Sequence, residues 1–176
     1  MIIKVYDLKK KFNKNINFYL FYGNNAGLID ETINNTIIPN SSKNVSYYEE
    51  NEIINNVGVF KEEILNRSFF EDSRLIMISR VTDKTLPIIE EIIEKNINDV
   101  KILLKTGGLD KKSKLRNFFE KSSKTIIVPF YEDNNQTLSI LAQNFFKEKQ
   151  INISSENINL IINRSKGDRL NLKNEL

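Results

Sequence analysis

Five short apolar runs alternate with segments of helical periodicity, and this rhythm constrains the fold more than any single motif. The runs are Phe18-Tyr19-Leu20-Phe21-Tyr22, Val45-Ser46-Tyr47-Tyr48, Arg74 to Ser79, Val100 to Lys105 and Thr125 to Val128. Leu28, Ile29, Ile33, Ile37 and Ile38 recur at helical spacing over 27–38, where Pro39 closes the element. Ile53, Ile54, Val57, Phe60, Ile64 and Leu65 form a stripe over 49–67, with a break expected at Gly58. Ile89, Ile92 and Ile93 mark a helix over 86–97 that carries Pro87 in its first turn, and Leu115, Phe118 and Phe119 mark a short one over 112–121. Strands that alternate with helices in this way predict an α/β fold, a five-stranded parallel sheet with helices on both faces.

After Phe130 the rhythm changes to helices alone. Leu138, Leu141, Ala142, Phe145 and Phe146 define one, with Asn134 or Asn135 as its cap; Ser154-Ser155-Glu156-Asn157 opens a second, and a third begins near Gly167-Asp168-Arg169. The expected division is residues 1–130 as the α/β domain and 131–176 as a small helical domain. The last helical pattern stops at Leu176 in mid-course, so the chain reads as a fragment of a longer protein.

The absences narrow the chemistry. Without cysteine or histidine the 176 residues hold no Cys/His zinc site, no serine or cysteine nucleophile paired with histidine, and no disulfide. Carboxylate, lysine or magnesium-dependent phosphoryl chemistry remains, and no pair of carboxylates is spaced for acid and base work: Glu90-Glu91, Asp72 and Asp83 read as surface charges. A net charge of +3 permits nucleic-acid contact without demanding it. The apolar runs are far shorter than the roughly 20 residues that span a bilayer. Lys4, Asp7 and Lys9 to Lys11 interrupt any leader-like start, which points to a cytoplasmic protein.

An apolar strand, a glycine turn and a helix can cradle phosphate on backbone amides. A Walker A loop needs a second glycine followed by Lys and Ser/Thr, because lysine neutralises the outer phosphates and the hydroxyl holds magnesium. Here Gly23 and Gly27 lead into Leu28-Ile29-Asp30-Glu31, so the lysine is missing and two carboxylates face the position of the anion. The third strand ends in Ser79-Arg80 where a hydrolase would place acidic magnesium ligands. Gly23-Asn24-Asn25 therefore reads as a plain strand-to-helix turn.

Taken in order, Phe18-Tyr19-Leu20-Phe21-Tyr22-Gly23, Arg67-Ser68-Phe69-Phe70-Glu71-Asp72-Ser73-Arg74-Leu75, Leu109-Asp110-Lys111-Lys112-Ser113-Lys114-Leu115 and Gly167-Asp168-Arg169-Leu170 resemble the bacterial DNA polymerase III delta subunit. The resemblance covers the whole chain and rests on order and spacing. It implies a RecA-like domain of the AAA+ class that has lost its nucleotide site, a helical lid, and a collar domain that is absent from this chain. The function it implies is DNA replication: a clamp-loader subunit that binds the sliding clamp and opens the ring for loading on primed DNA. Such a subunit has no catalytic residues, ATP site or metal of its own, and works as an accessory of a nucleotidyltransferase complex. Its partners would be the clamp, the other loader subunits and primed DNA, with no membrane. Phe69 and Phe70 fall where the family plugs a clamp pocket with two hydrophobic side chains; on pattern alone the pair reads as core. Lys111, Lys112, Lys114 and Arg116 read first as a solvated helix face, with DNA phosphates as the alternative. Arg169 and Thr106 stand near the nucleotide sensors of active AAA+ proteins and, without Walker residues, read as structural. The competing readings are a divergent nucleotide-dependent AAA+ enzyme and a delta-prime or tau/gamma-type loader subunit; the latter carry a cysteine zinc module that this chain cannot build.

Overall fold

The computed structural model describes residues 1–12, 16–41, 44–65, 74–95, 97 and 99–176. Strands β1 (Phe18–Tyr22), β2 (Val45–Glu49), β3 (Arg74–Ser79), β4 (Val100–Thr106) and β5 (Thr125–Pro129) form one sheet in the order β2-β3-β4-β1-β5, every pair parallel. β1 lies inside, with Phe18 opposite Ile102 on one side and Thr125 on the other. All five of its residues are buried, which explains an apolar run without alternation: both faces of a parallel sheet are covered.

Successive side chains of a strand point to opposite faces, and the two faces hold separate cores. Phe18, Leu20 and Tyr22 join Ile76, Ile78, Ile102 and Leu104 beneath helices α3 (Glu50–Asn55), α4 (Val57–Leu65), α5 (Leu86–Glu94) and α6 (Lys114–Lys121). Tyr19 and Phe21 join Met77, Leu103 and Val128 on the other face, under α1 (Val5–Lys11) and α2 (Ala26–Thr32). A third cluster, Leu138, Ala142, Ile158, Ile162 and Leu172, is enclosed by α7 (Asn135–Glu148), α8 (Ser155–Arg164) and α9 (Arg169–Glu175). Among the described residues no helix is long and apolar enough to cross a membrane.

Several boundaries differ from the sequence expectation. The helix expected over 27–38 is α-helical only to Thr32, continues as a wide π turn (Ile33–Ile37) and ends in a 3₁₀ turn (Ile38–Asn40). The Thr32 hydroxyl donates to the Leu28 carbonyl at 2.7 Å, a back-bond that bends helices, while Pro39 supplies no N–H to continue the ladder. The break expected at Gly58 lies at Asn56, whose φ of −136° leaves the helical region; Gly58 sits inside α4. A capping box, in which the Glu49 side chain and the Glu52 carboxylate serve each other's backbone amides, explains the start of α3. Helix α5 stops at Glu94 and α6 starts at Lys114, behind its Ser113 cap. Helix α1 had no counterpart in the sequence reading.

Candidate functional site

The turn from β1 into α2 stands at the carboxyl end of the sheet, where ligands of open α/β folds bind. Its local chemistry is directed inward. Gly23 has a φ of +138°, and a Cβ there would lie 2.0 Å from the Phe130 carbonyl oxygen; its N–H donates to the Gly107 carbonyl at 3.0 Å. The glycine is required by the close approach of β5, with no appeal to phosphate. The Asn25 side-chain oxygen accepts from the Leu28 amide at 3.0 Å and so occupies the start of α2. Its Nδ2 donates to the Tyr131 carbonyl at 3.0 Å and to Asp133 at 2.8 Å.

Helix α9 closes the other side. Gly27 faces Arg169 and the Leu170 backbone, and a Cβ on it would come 3.3 Å from the Leu170 nitrogen. The Arg169 side chain, 12% exposed, donates to Glu31 at 2.9 Å and to both Asp133 oxygens at 2.9 and 3.1 Å; the Asp133 side chain is 5% exposed. Lys173 adds a 2.8 Å contact to Glu31. Burial would raise the Glu31 pKa, but the hydrogen bonds from Arg169 and Lys173 outweigh it and hold the carboxyl below its ordinary value. The partners of the arginine are two carboxylates that sequence reasoning did not pair with it. Asp30 and Glu31, which argued against a phosphate site, are both engaged: Asp30 pairs with Lys105 and Glu31 with Arg169. Arg80, at a φ of +60°, ends β3 and pairs with Glu49 at 3.2 Å. It lines a cleft of about 290 Å³ together with Gly23, Lys105 and Thr106.

Phe69 and Phe70 lie outside the described residues. The Arg74 guanidinium, at the start of β3, donates to the Glu63 and Ile64 carbonyls at 3.0 Å each and caps the end of α4.

The basic segment divides. Lys111, Lys112 and Lys114 are exposed, and neither Lys111 nor Lys112 has a carboxylate partner among the described residues. Arg116 is committed inside the protein: it donates to Glu120 at 2.8 Å and to the Leu109 carbonyl at 3.0 Å, and lies 5.1 Å from the Tyr22 ring centroid. Lysines at a helix start oppose the macrodipole, and the compensation comes from Asp83. Its carboxylate accepts from the Ser113 hydroxyl at 2.6 Å and from the Lys114 and Leu115 amides at 3.0 Å each. These bonds, the Ser113 hydroxyl first, hold the Asp83 carboxyl below its ordinary value. Asp83 is exposed, the surface charge the sequence suggested, and it serves in addition as a helix cap supplied from 30 residues away in sequence. Asp83→Ala is expected to destabilise the protein by about 1 kcal/mol, the usual effect of losing a cap. Urea denaturation checks this, and an unchanged midpoint would refute it.

Sequence reasoning also passed over Glu50. It is 6% exposed and accepts from the Thr82 amide and from the hydroxyls of Thr82 and Thr85, which ties α3 to the loop after β3. In the sequence it is one acid among several at a helix start. Among the described residues no cluster of acidic side chains is grouped as a metal site.

Residues 19–129 match the family described as DNA polymerase III, delta subunit. No curated protein matches the sequence significantly. Among solved structures, the Bacillus subtilis DNA clamp loader delta protein (YqeN) superposes with a TM-score of 0.64 at 19% identity, over 97% of this chain and 54% of that one. A RuvB variant from Thermotoga maritima gives 0.61 at 15%, over 97% and 56%. AMPPCP-bound DnaA from Aquifex aeolicus gives 0.55 at 15%, over 97% and 57%. At these identities the likeness carries the fold alone, a RecA-like α/β sheet of the AAA+ type followed by helices. The chain spans little more than half the length of these proteins. With a family match that runs from the second residue of β1 to the last of β5, this chain belongs to the DNA polymerase III delta subunit family.

Proposed function

We propose that this chain is the clamp-engaging part of a replicative clamp-loader delta subunit, which binds one face of the sliding clamp through Phe69 and Phe70 and holds the ring open. The family match over residues 19–129 carries the reading. In this reading, residues 1–130 contact the clamp and residues 131–176 form the helical lid. Ring opening requires that the open clamp be bound more tightly than the closed one, since a ligand shifts an equilibrium only by its differential affinity. No bond is made or broken here. The chain works in the cytoplasm as an accessory of the polymerase complex, with ATP bound by other loader subunits. The β1–α2 turn supports that division of labour, because Asn25 caps the helix that would otherwise cradle phosphate and Arg169 packs over Gly27. Titration of the chain against the sliding clamp of the same organism tests the proposal; a folded chain that does not bind the clamp would overturn it.

Lys111, Lys112 and Lys114 are the proposed contacts to primed DNA, and Arg116 has too many internal partners to serve as freely. Each phosphate neutralised contributes about −0.9 to the slope of log K against log salt on duplex DNA. Lys111→Ala/Lys112→Ala is expected to make that slope shallower by about 2, measured by fluorescence anisotropy with a primed duplex. An unchanged slope would assign the lysines to solvent alone.

A further inference from the structure

We propose that Arg169, Asp133 and Glu31 form a ligand-independent latch that holds helices α7–α9 closed on the start of α2. The inference rests on contacts within this chain and stands or falls separately from clamp binding.

The latch joins three pieces of chain. Glu31 belongs to α2, Asp133 to the connector that leaves β5, and Arg169 to the first turn of α9. One guanidinium serves both carboxylates through different nitrogens, Nε to Glu31 and Nη1 to Asp133. That geometry uses the planar fork of arginine, which a lysine ammonium cannot reproduce. Asn25 also donates to Asp133, so the connector is tied to the α2 start by a bond that does not involve α9. Lys173, one turn along α9, makes a second contact to Glu31.

Two physical features give the cluster leverage. The buried core of α7–α9 is small: Leu138, Ala142, Ile158, Ile162 and Leu172, with Leu141, Ile153, Ile161 and Leu176 partly buried against it, so polar contacts weigh more in orienting the three helices. The pair between Arg169 and Asp133 is largely removed from water, which makes it costly to break from one side. An anion at the start of α2 would have to displace both the Asn25 cap and this arginine. Internal carboxylates therefore occupy the role of an anionic ligand, and the helices stay closed without one.

Hydrogen exchange followed by mass spectrometry tests this on the whole chain. Arg169→Met, which keeps the length of the side chain, is expected to accelerate exchange in α9 and in connector residues 131–134 by tenfold or more while β1 and β4 keep their protection. Arg169→Lys is expected to fall between, as it retains charge but not the fork. Magnesium-ATP added to the native chain is expected to leave all these rates unchanged. Unchanged exchange in α9 of the Met variant would overturn the latch. Equal acceleration in β1 and β4 would overturn it too, because the arginine would then support the whole fold. A response of the native chain to ATP would overturn its independence of ligand.

Discussion

Phe69→Ala/Phe70→Ala is expected to weaken binding to the sliding clamp by about a hundredfold or more, with the secondary structure unchanged. Burying one phenylalanine contributes roughly 1.5–3 kcal/mol, so two adjacent rings in one pocket reach about 3–6 kcal/mol before any coupling. Interface energy concentrates in a few such residues, and losses of this kind appear as faster dissociation. Surface plasmon resonance with immobilised clamp measures it, alongside circular dichroism and urea denaturation of the variant. The denaturation arm separates the two readings of the pair. Core phenylalanines cost about 3–5 kcal/mol each when truncated, so a collapse in stability would place the rings in the core and remove them from the clamp surface. Native-like stability with clamp binding intact would also end their assignment as the contact.

The second large effect is on folding. Gly23→Ala is expected to destabilise the chain by about 3 kcal/mol or more, which places it among the severe single substitutions. The backbone at Gly23 has a φ of +138°, which side chains rarely adopt, and the added methyl would meet the Phe130 carbonyl oxygen at 2.0 Å. Relief would require the end of β5 to move away from β1, yet the Phe130 amide donates to the Tyr22 carbonyl at 2.8 Å and the Gly23 amide to Gly107 at 3.0 Å. Three strand ends are tied together at this residue. Gly27→Ala is the control: its methyl would meet the Leu170 nitrogen at 3.3 Å, a contact that a small shift of α9 relieves. Guanidinium unfolding curves compare the two. A Gly23→Ala midpoint close to that of Gly27→Ala would show that the strand ends give way more easily than the hydrogen bonds imply.

Much of the architecture was written locally. The five apolar runs became five parallel strands; four of them are buried on both faces and need no alternation to declare themselves, while β2 lies at the sheet edge with no residue fully buried. The helix starts near Asn134 and Ser154 were legible as well, since an Asn or Ser before an apolar period serves the orphan amides of a helix start; the structure chose Asn134 over Asn135 and placed the other cap at Ser154. The missing Walker lysine and acidic pair were legible too, and with them the conclusion that Gly23-Asn24-Asn25 is a turn. Elements without a strong period were lost: α1 is short, and the π turn over Ile33–Ile37 keeps apolar residues at a spacing that an α-helix would also explain.

By itself, then, the sequence determined the α/β rhythm, the turn to helices after Phe130 and the missing Walker residues, because each depends on residues within a few positions of one another. Only the tertiary structure decided what the charges do. Asp83 caps a helix 30 residues on, Glu50 anchors Thr82 and Thr85, Arg116 turns inward while Lys111 and Lys112 stay in water, and Arg169 finds Glu31 at a separation of 138 residues. A charged side chain carries no periodic signature of its partner, and whether it is idle or essential depends on which carboxylate or amide the fold brings within 3 Å of it.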